Sequence, residues 1–148
     1  MQANFKPLTT NTVDILLPMM QQFYAIDNYP INAVKSAELC RQFISSENLG
    51  RAWIIEADGK TAGYVILTFV FSFEYGGRIA FVDELFILPQ MQGKGLGRQA
   101  IAFIKQQTRP LDIKLLYLEV ENHNKIAQKL YLSQGFEMHN RGIMKYKP

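Results

Sequence analysis

Residues 92–98 read Gln92-Gly93-Lys94-Gly95-Leu96-Gly97-Arg98, and the fold turns on what this stretch joins. Upstream, Ile79 to Leu88 is an apolar run with the composition of a strand, followed by Pro89. Downstream, Leu96, Ala100, Phe103 and Ile104 recur at helical spacing to about Thr108, and Pro110 ends the pattern. A glycine-rich loop therefore follows a strand and opens a helix. Glycines let the backbone approach a ligand closely. The free amides of a helix N-terminus face an anion, normally a phosphate. Lys94 and Arg98 add positive charge. A glycine-rich connector with no ligand is the plain alternative, and three glycines at alternate positions at a helix start weigh against it.

Two phosphate-binding patterns are set aside. The nucleoside triphosphate loop needs G-x-x-x-x-G-K-[ST], which this stretch does not satisfy. Gly95 to Ala100 fits the dinucleotide spacing G-x-G-x-x-A, and Glu119 lies about 20 residues on. The residues from Pro89 to Lys94 intervene between strand and glycine, however, and too little chain follows Glu119 to complete a doubly wound sheet.

Working outward, the chain before the loop reads as a meander. Ala52 to Ala57 ends at Asp58-Gly59, a hairpin signal, and Thr61 to Phe73 is a long run closed by Gly76-Gly77. Earlier still, Phe5 to Leu8 is a short edge strand. Val13 to Ile26 reads as a helix kinked at Pro18, and Ala33 to Ile44 as a second helix. After the loop helix come a strand at Leu115 to Val120, a helix at Asn124 to Gln134, and a final strand or hairpin from Phe136. This is an α/β or α+β pattern built on a central mixed sheet flanked by helices.

The chain has 148 residues, enough for the single domain expected over 1–148, and at 48% hydrophobic it can bury a core, which excludes a disordered segment. No apolar run approaches a membrane span, and no signal segment is evident at the N-terminus. The one cysteine, Cys40, fits a core position in a reducing, cytoplasmic setting. His123 and His139 lack metal-ligand spacing, so no metal is expected. The formal net charge of +3 conceals a division: residues 1–92 sum to −3 and residues 93–148 to +6. An acidic front and a basic back suggest two partners of opposite sign, or a solvated surface with chance asymmetry. The basic residues are spread out, which argues against a nucleic-acid footprint.

The spacing of Gln92, Gly95 and Gly97 resembles the acetyl-coenzyme A signature Q/R-x-x-G-x-G/A of the GNAT superfamily of N-acetyltransferases. A second block, Asn124 to Phe136, matches that family's N-x-x-A-x-x-L-Y-x-x-x-G-F through Asn124, Ala127, Leu130, Tyr131, Gly135 and Phe136. Phe81 to Ile87 is similar to the family's acidic fourth strand. The resemblance is firm from Phe81 to Phe136 and architectural before that. It implies the GNAT acyl-CoA N-acyltransferase fold and acetyl transfer from acetyl-CoA to a primary amine of a small cationic acceptor or a peptide. It also implies direct attack without a covalent enzyme intermediate, and a homodimer at the family level. Neither nucleic acid nor a membrane is implied as a partner. A non-catalytic CoA-binding sensor of the same fold, or a dinucleotide-binding protein, is the alternative.

By that resemblance the pyrophosphate lies on the amides of Gly93, Lys94, Gly95, Leu96, Gly97 and Arg98, and Gln92 belongs with the cofactor-binding residues. The pantetheine lies along the backbone of Leu85, Phe86 and Ile87. Asn124 and Ala127 line the cofactor, and Tyr131 sits near its sulfur as the acid that protonates the leaving thiolate. On a helix Asn124, Ala127 and Tyr131 share one face. A phenol, with a reference pKa near 10, holds its proton at neutral pH and can donate it. Tyr131 also reads as a core aromatic, and Asn124 as a plain N-cap.

Asp83 and Glu84 are the candidate bases for the ammonium. A regular strand points their side chains to opposite faces, although a bulge could re-aim one. Asp83 ranks first, as a water-mediated base, with Glu84 behind it. The alternative is a structural carboxylate tied to Arg78 or a backbone amide. The acceptor is expected against Tyr24, Asp27 and Tyr29 after the first helix, and Glu74, Tyr75 and Arg78 at the turn between the third and fourth strands. Acids with aromatics suit a cation through charge and cation–π contact. Solvated loops would look the same.

Overall fold

The computed structural model describes residues 1–148. Nine main elements follow in order: β1 (Ala3–Pro7), α1 (Val13–Ile26), α2 (Ala33–Ile44), β2 (Gly50–Ala57), β3 (Lys60–Ser72), β4 (Gly77–Ile87), α3 (Leu96–Gln107), β5 (Leu116–Leu118) and α4 (Lys125–Ser133). Short 3-10 turns precede α1 at Thr10–Thr12 and follow β4 at Pro89–Met91. The strands form one sheet in chain order, β1-β2-β3-β4-β5. The first four pair antiparallel, and β5 joins β4 in parallel, so the sheet is mixed, as the sequence implied.

β3 is the centre of the sheet. Ala62, Tyr64, Val65 and Leu67 are fully buried, a continuous run that ordinary half-exposed strands do not show. Both faces of the sheet are therefore covered. On one face α3 brings Phe103 into a stack with Phe5 at 4.1 Å between ring centroids, edge-on to Trp53. On the other, α1 brings Phe23 edge-on to Phe86 and Tyr64. Cys40, Met19 and Met20 lie in the same core cluster.

α1 continues on both sides of Pro18, with Leu16, Met19 and Met20 buried. Two expectations need revision. β5 is shorter than Leu115 to Val120. The segment from Phe136 onward forms neither strand nor hairpin. A strand of three residues offers little ladder to extend, and this segment is tied down by side chains instead: Arg141 grips Glu74 bidentately and His139 meets the Tyr117 hydroxyl at 3.2 Å.

Gly63 of β3 faces Ile87 of β4, where the two strands leave no room for a side chain. A methyl group at Gly63 would stand 2.1 Å from the Phe86 carbonyl oxygen. Gly63→Ala must push the two strands apart, and overpacking of this kind costs about 1–3 kcal/mol. Urea unfolding should show a lower midpoint with an unchanged slope. A midpoint equal to the wild type would mean the strands yield freely there.

Candidate active site

β4 carries one residue too many for its partner. Ile66 pairs with Glu84 and the next residue, Leu67, pairs with Val82, so Asp83 stands in a β-bulge. The pleat no longer sends the two carboxylates apart. Asp83 and Glu84 line the same cavity, about 430 Å3, between the sheet and helices α1 and α2. A bulge was the one way they could converge.

Their surroundings differ. Glu84 receives the hydroxyl of Tyr64 on one oxygen and that of Tyr24 on the other, both at 2.7 Å. Burial lifts its carboxyl above the ordinary glutamate range, the two phenol bonds pull it down, and the nearby Asp83 charge raises it again. Tyr24 and Tyr64 are themselves pushed far up, chiefly by burial. Asp83 has no hydrogen bond, and its carboxyl is raised by burial first and by Glu119 second. Neither acid meets Arg78, which donates to the Leu111 carbonyl at 3.0 Å and lies over the Phe69 ring at 4.3 Å.

Next to the acids the sheet opens. β5 pairs with β4 only at Ala80, Phe81 and Val82. From Asp83 to Ile87, β4 has no strand partner on that edge, leaving a slot that includes Leu85, Phe86 and Ile87. At the slot's far end the Gln92 side chain donates to the Ile87 carbonyl at 3.0 Å, which fixes the loop to the strand. Gly93 and Gly95 both have left-handed backbones (φ 73° and 78°) and face open space. The first amide of this stretch to enter the helical ladder is that of Gln99, bonded to Gly95. The amides of Gly93, Lys94, Gly95, Leu96, Gly97 and Arg98 have no partner within the protein. Six unpaired donors at the start of a twelve-residue helix, flanked by Lys94 and Arg98, form a cradle that fits a pyrophosphate. Gly97 has a further reason to lack a side chain: a Cβ there would stand 3.3 Å from Leu130, so α3 and α4 touch closely.

α4 presents Tyr131 half-buried, its hydroxyl without a partner and its acidity weakened by burial. Tyr131 and the carboxylates line different cavities, and β4 contributes to both. Phe81 joins Tyr131 and Leu118 around one of about 780 Å3, while Asp83 and Glu84 belong to the other. Asn124 caps α4, accepting the Ala127 amide at 3.1 Å.

Of the acceptor candidates, Tyr24 reaches the acids directly. Asp27 pairs with His123 at 2.9 Å, and Tyr29 donates to Glu121, so the loop after α1 is fastened to the segment after β5. Glu74, Tyr75 and Arg78 lie elsewhere. Glu74 holds Arg141, Tyr75 accepts from Tyr117, and none of the three lines the cavity of the acids. The sequence reading missed Tyr64, Glu119, Glu121 and His123 as site neighbours. Tyr64 carried a usable signal: once β3 and β4 are put in register, it sits diagonal to Glu84 on one face. The other three follow β5, in the half of the chain that sums to positive charge.

A model of the acetyltransferase (GNAT) family matches residues 16–136. An uncharacterized N-acetyltransferase of Bacillus subtilis, YhfO, is 32% identical over 84 residues, covering 57% of this chain and 56% of its own. The chain spans about half the length of the curated relatives it matches. Among solved structures, an integron cassette protein from the mobile metagenome of Cole Harbour Salt Marsh superposes with a TM-score of 0.86 at 29% identity, covering 97% of this chain and 89% of that one. The aminoglycoside N-acetyltransferase AAC(6')-Iy, solved in complex with CoA, shares the fold with a TM-score of 0.83 at 17% identity, covering 99% of this chain and 95% of that one.

The raised carboxyls have a consequence for stability. A folded-state pKa above the unfolded one favours folding below the ordinary carboxylate value, and that contribution is lost as pH rises through the folded pKa. Glu84→Gln removes the buried charge and keeps one acceptor and one donor for the two tyrosines. The Tm of Glu84→Gln relative to wild type should therefore climb as pH rises from 4.5, the ordinary glutamate value, toward neutrality. Calorimetric scans across that range check it, and a difference that is flat or falls with pH contradicts it.

Proposed function

The chain belongs to the GNAT family of acetyltransferases, and we propose that it moves an acetyl group from acetyl-CoA to an amine by direct attack, with residues 1–148 acting as one domain. The observation that carries this is the junction at Asp83: an unpaired strand edge begins where two carboxylates converge, and it leads to six free amides at a helix start. The CoA complex of a protein with the same fold lends further support.

Bound acetyl-CoA supplies the acetyl thioester. The amides from Gly93 to Arg98 hold its pyrophosphate, and the open edge of β4 from Leu85 to Ile87 orients its pantetheine. A β4 amide on that edge polarises the thioester carbonyl, which needs no particular side chain. Asp83 takes the proton of the incoming ammonium, directly or through one water, and so frees the nitrogen to bond to the acetyl carbon. Glu84, with both oxygens held by tyrosines, fixes the negative field that draws the cation in. As the carbon–sulfur bond broke, Tyr131 would give its hydroxyl proton to the sulfur. The second proton lost by the new amide nitrogen would return to the phenolate through water, so that only the proton taken by Asp83 passes on to solvent. The raised pKa of Tyr131 keeps its proton in place until the bond breaks.

Acetyl-CoA at about 100 times its Kd should stabilise the protein by about 2.7 kcal/mol, seen as a higher Tm. No shift at saturation would remove the cofactor reading, and a shift without thiol release for any amine would mark a binding module. Tyr131→Phe should keep the shift and lower kcat by about 10²-fold or more. Asp83→Asn should lower kcat/KM by a similar factor and abolish the acid limb of its pH profile. A limb that persists in Asp83→Asn would pass the base role to another group.

A further inference from the structure

The cavity of the two acids is lopsided. Its floor holds Asp83 and Glu84, and its walls are mostly apolar, with Leu16 and Met20 from α1, Ile31 from the connecting loop, and Leu39, Cys40 and Phe43 from α2; Asn32, Ser36 and Thr68 add neutral polar groups but no further negative charge. Leu39 and Ile31 are partly exposed, although both are large aliphatic residues that a closed core would cover. At the mouth stands Lys35, two-thirds exposed, its ammonium 3.6 Å from Glu38. No other charged side chain lines the space. Of the other acids nearby, Asp27 and Glu121 are engaged by His123 and Tyr29, and Glu119, which acts on Asp83 from across the gap, lies outside this lining.

This layout favours an acceptor with a single positive charge. An ammonium reaching the floor meets two carboxylates. Whatever it carries behind it lies against aliphatic and aromatic carbon. A second ammonium there would give up water with no second carboxylate pair to meet it, only the neutral Asn32, Ser36 and Thr68, a cost the apolar wall does not offset. If it extended to the mouth it would meet Lys35, a like charge. An alkyl or aryl arm has the opposite balance and gains from leaving water.

On the acetyl-transfer reading, on which this rests, we propose that the acceptor is a monoamine with an apolar arm, its ammonium at Asp83 and its arm between α1 and α2, and that Lys35 is a specificity determinant rejecting acceptors with a second, distal positive charge.

The test is thiol release from acetyl-CoA with butylamine, hexylamine and 1,6-diaminohexane, in the full chain and in Lys35→Glu. Lys35 is exposed near the start of α2, where an acid suits the helix dipole, so the variant should fold. In the wild type, kcat/KM should rise about fourfold for each methylene from butylamine to hexylamine. Hexylamine should exceed 1,6-diaminohexane by at least about tenfold. Lys35→Glu should shrink that ratio by about tenfold. A diamine equal to or better than hexylamine in the wild type overturns the proposal. A ratio unchanged in Lys35→Glu removes Lys35 from it. Should no amine release thiol, calorimetry on the same protein decides. Hexylamine binding without 1,6-diaminohexane binding upholds the pocket while acetyl transfer falls, and no hexylamine binding overturns the pocket itself.

Discussion

One extra residue in β4 organises the site. Without the bulge at Asp83, the pleat would send its side chain and that of Glu84 to opposite sides of the sheet, one toward α3 and one toward α1 and α2. With it, both carboxylates meet in one cavity, and the pairing of β4 with β5 ends at the same point. Acid pair and open edge are thus two outcomes of a single local change in strand register. The tight β3–β4 contact at Gly63 holds the other edge of β4 in place while this one stands free.

The acids then divide their work through solvation. Glu84 is buried more deeply and keeps its charge tolerable by taking a phenol hydrogen bond on each oxygen, which fixes its orientation. Asp83 is exposed and unbonded, and its proton affinity is raised by partial burial and by Glu119 across the gap. A carboxylate that is free, accessible and somewhat more basic than usual is the better proton acceptor of the two. The fixed neighbour contributes field without competing for the proton.

Much of this was legible in the chain. The mixed sheet, the helix order and the glycine loop follow from periodicity and punctuation, because strand and helix patterns at Lys60–Ser72 and Leu96–Gln107 are long and unambiguous. What escaped depends on contacts between distant residues. Arg78 looked like a partner for the acids because it is close in sequence, yet five residues along a strand carry it roughly 17 Å from Asp83. The end of the chain from Phe136 was read as a strand or hairpin, but a strand needs an edge to pair with, and β5 is too short to provide one. The division of charge by chain position also dissolves in three dimensions: Glu119 and Glu121 come from the positive half and stand beside the acids of the negative one.

The second helix has a freedom that the other elements lack. α2 packs on α1 and the turn before it, and it contributes neither the carboxylates, nor the amide cradle, nor Tyr131. It nonetheless supplies much of the wall that an acceptor would touch. Substitutions along α2 can therefore reshape what the cavity admits while the proton-handling groups and the cofactor loop stay as they are. Selectivity and chemistry are carried by separable parts of the chain, so new acceptors can be explored over generations at little risk to the reaction itself.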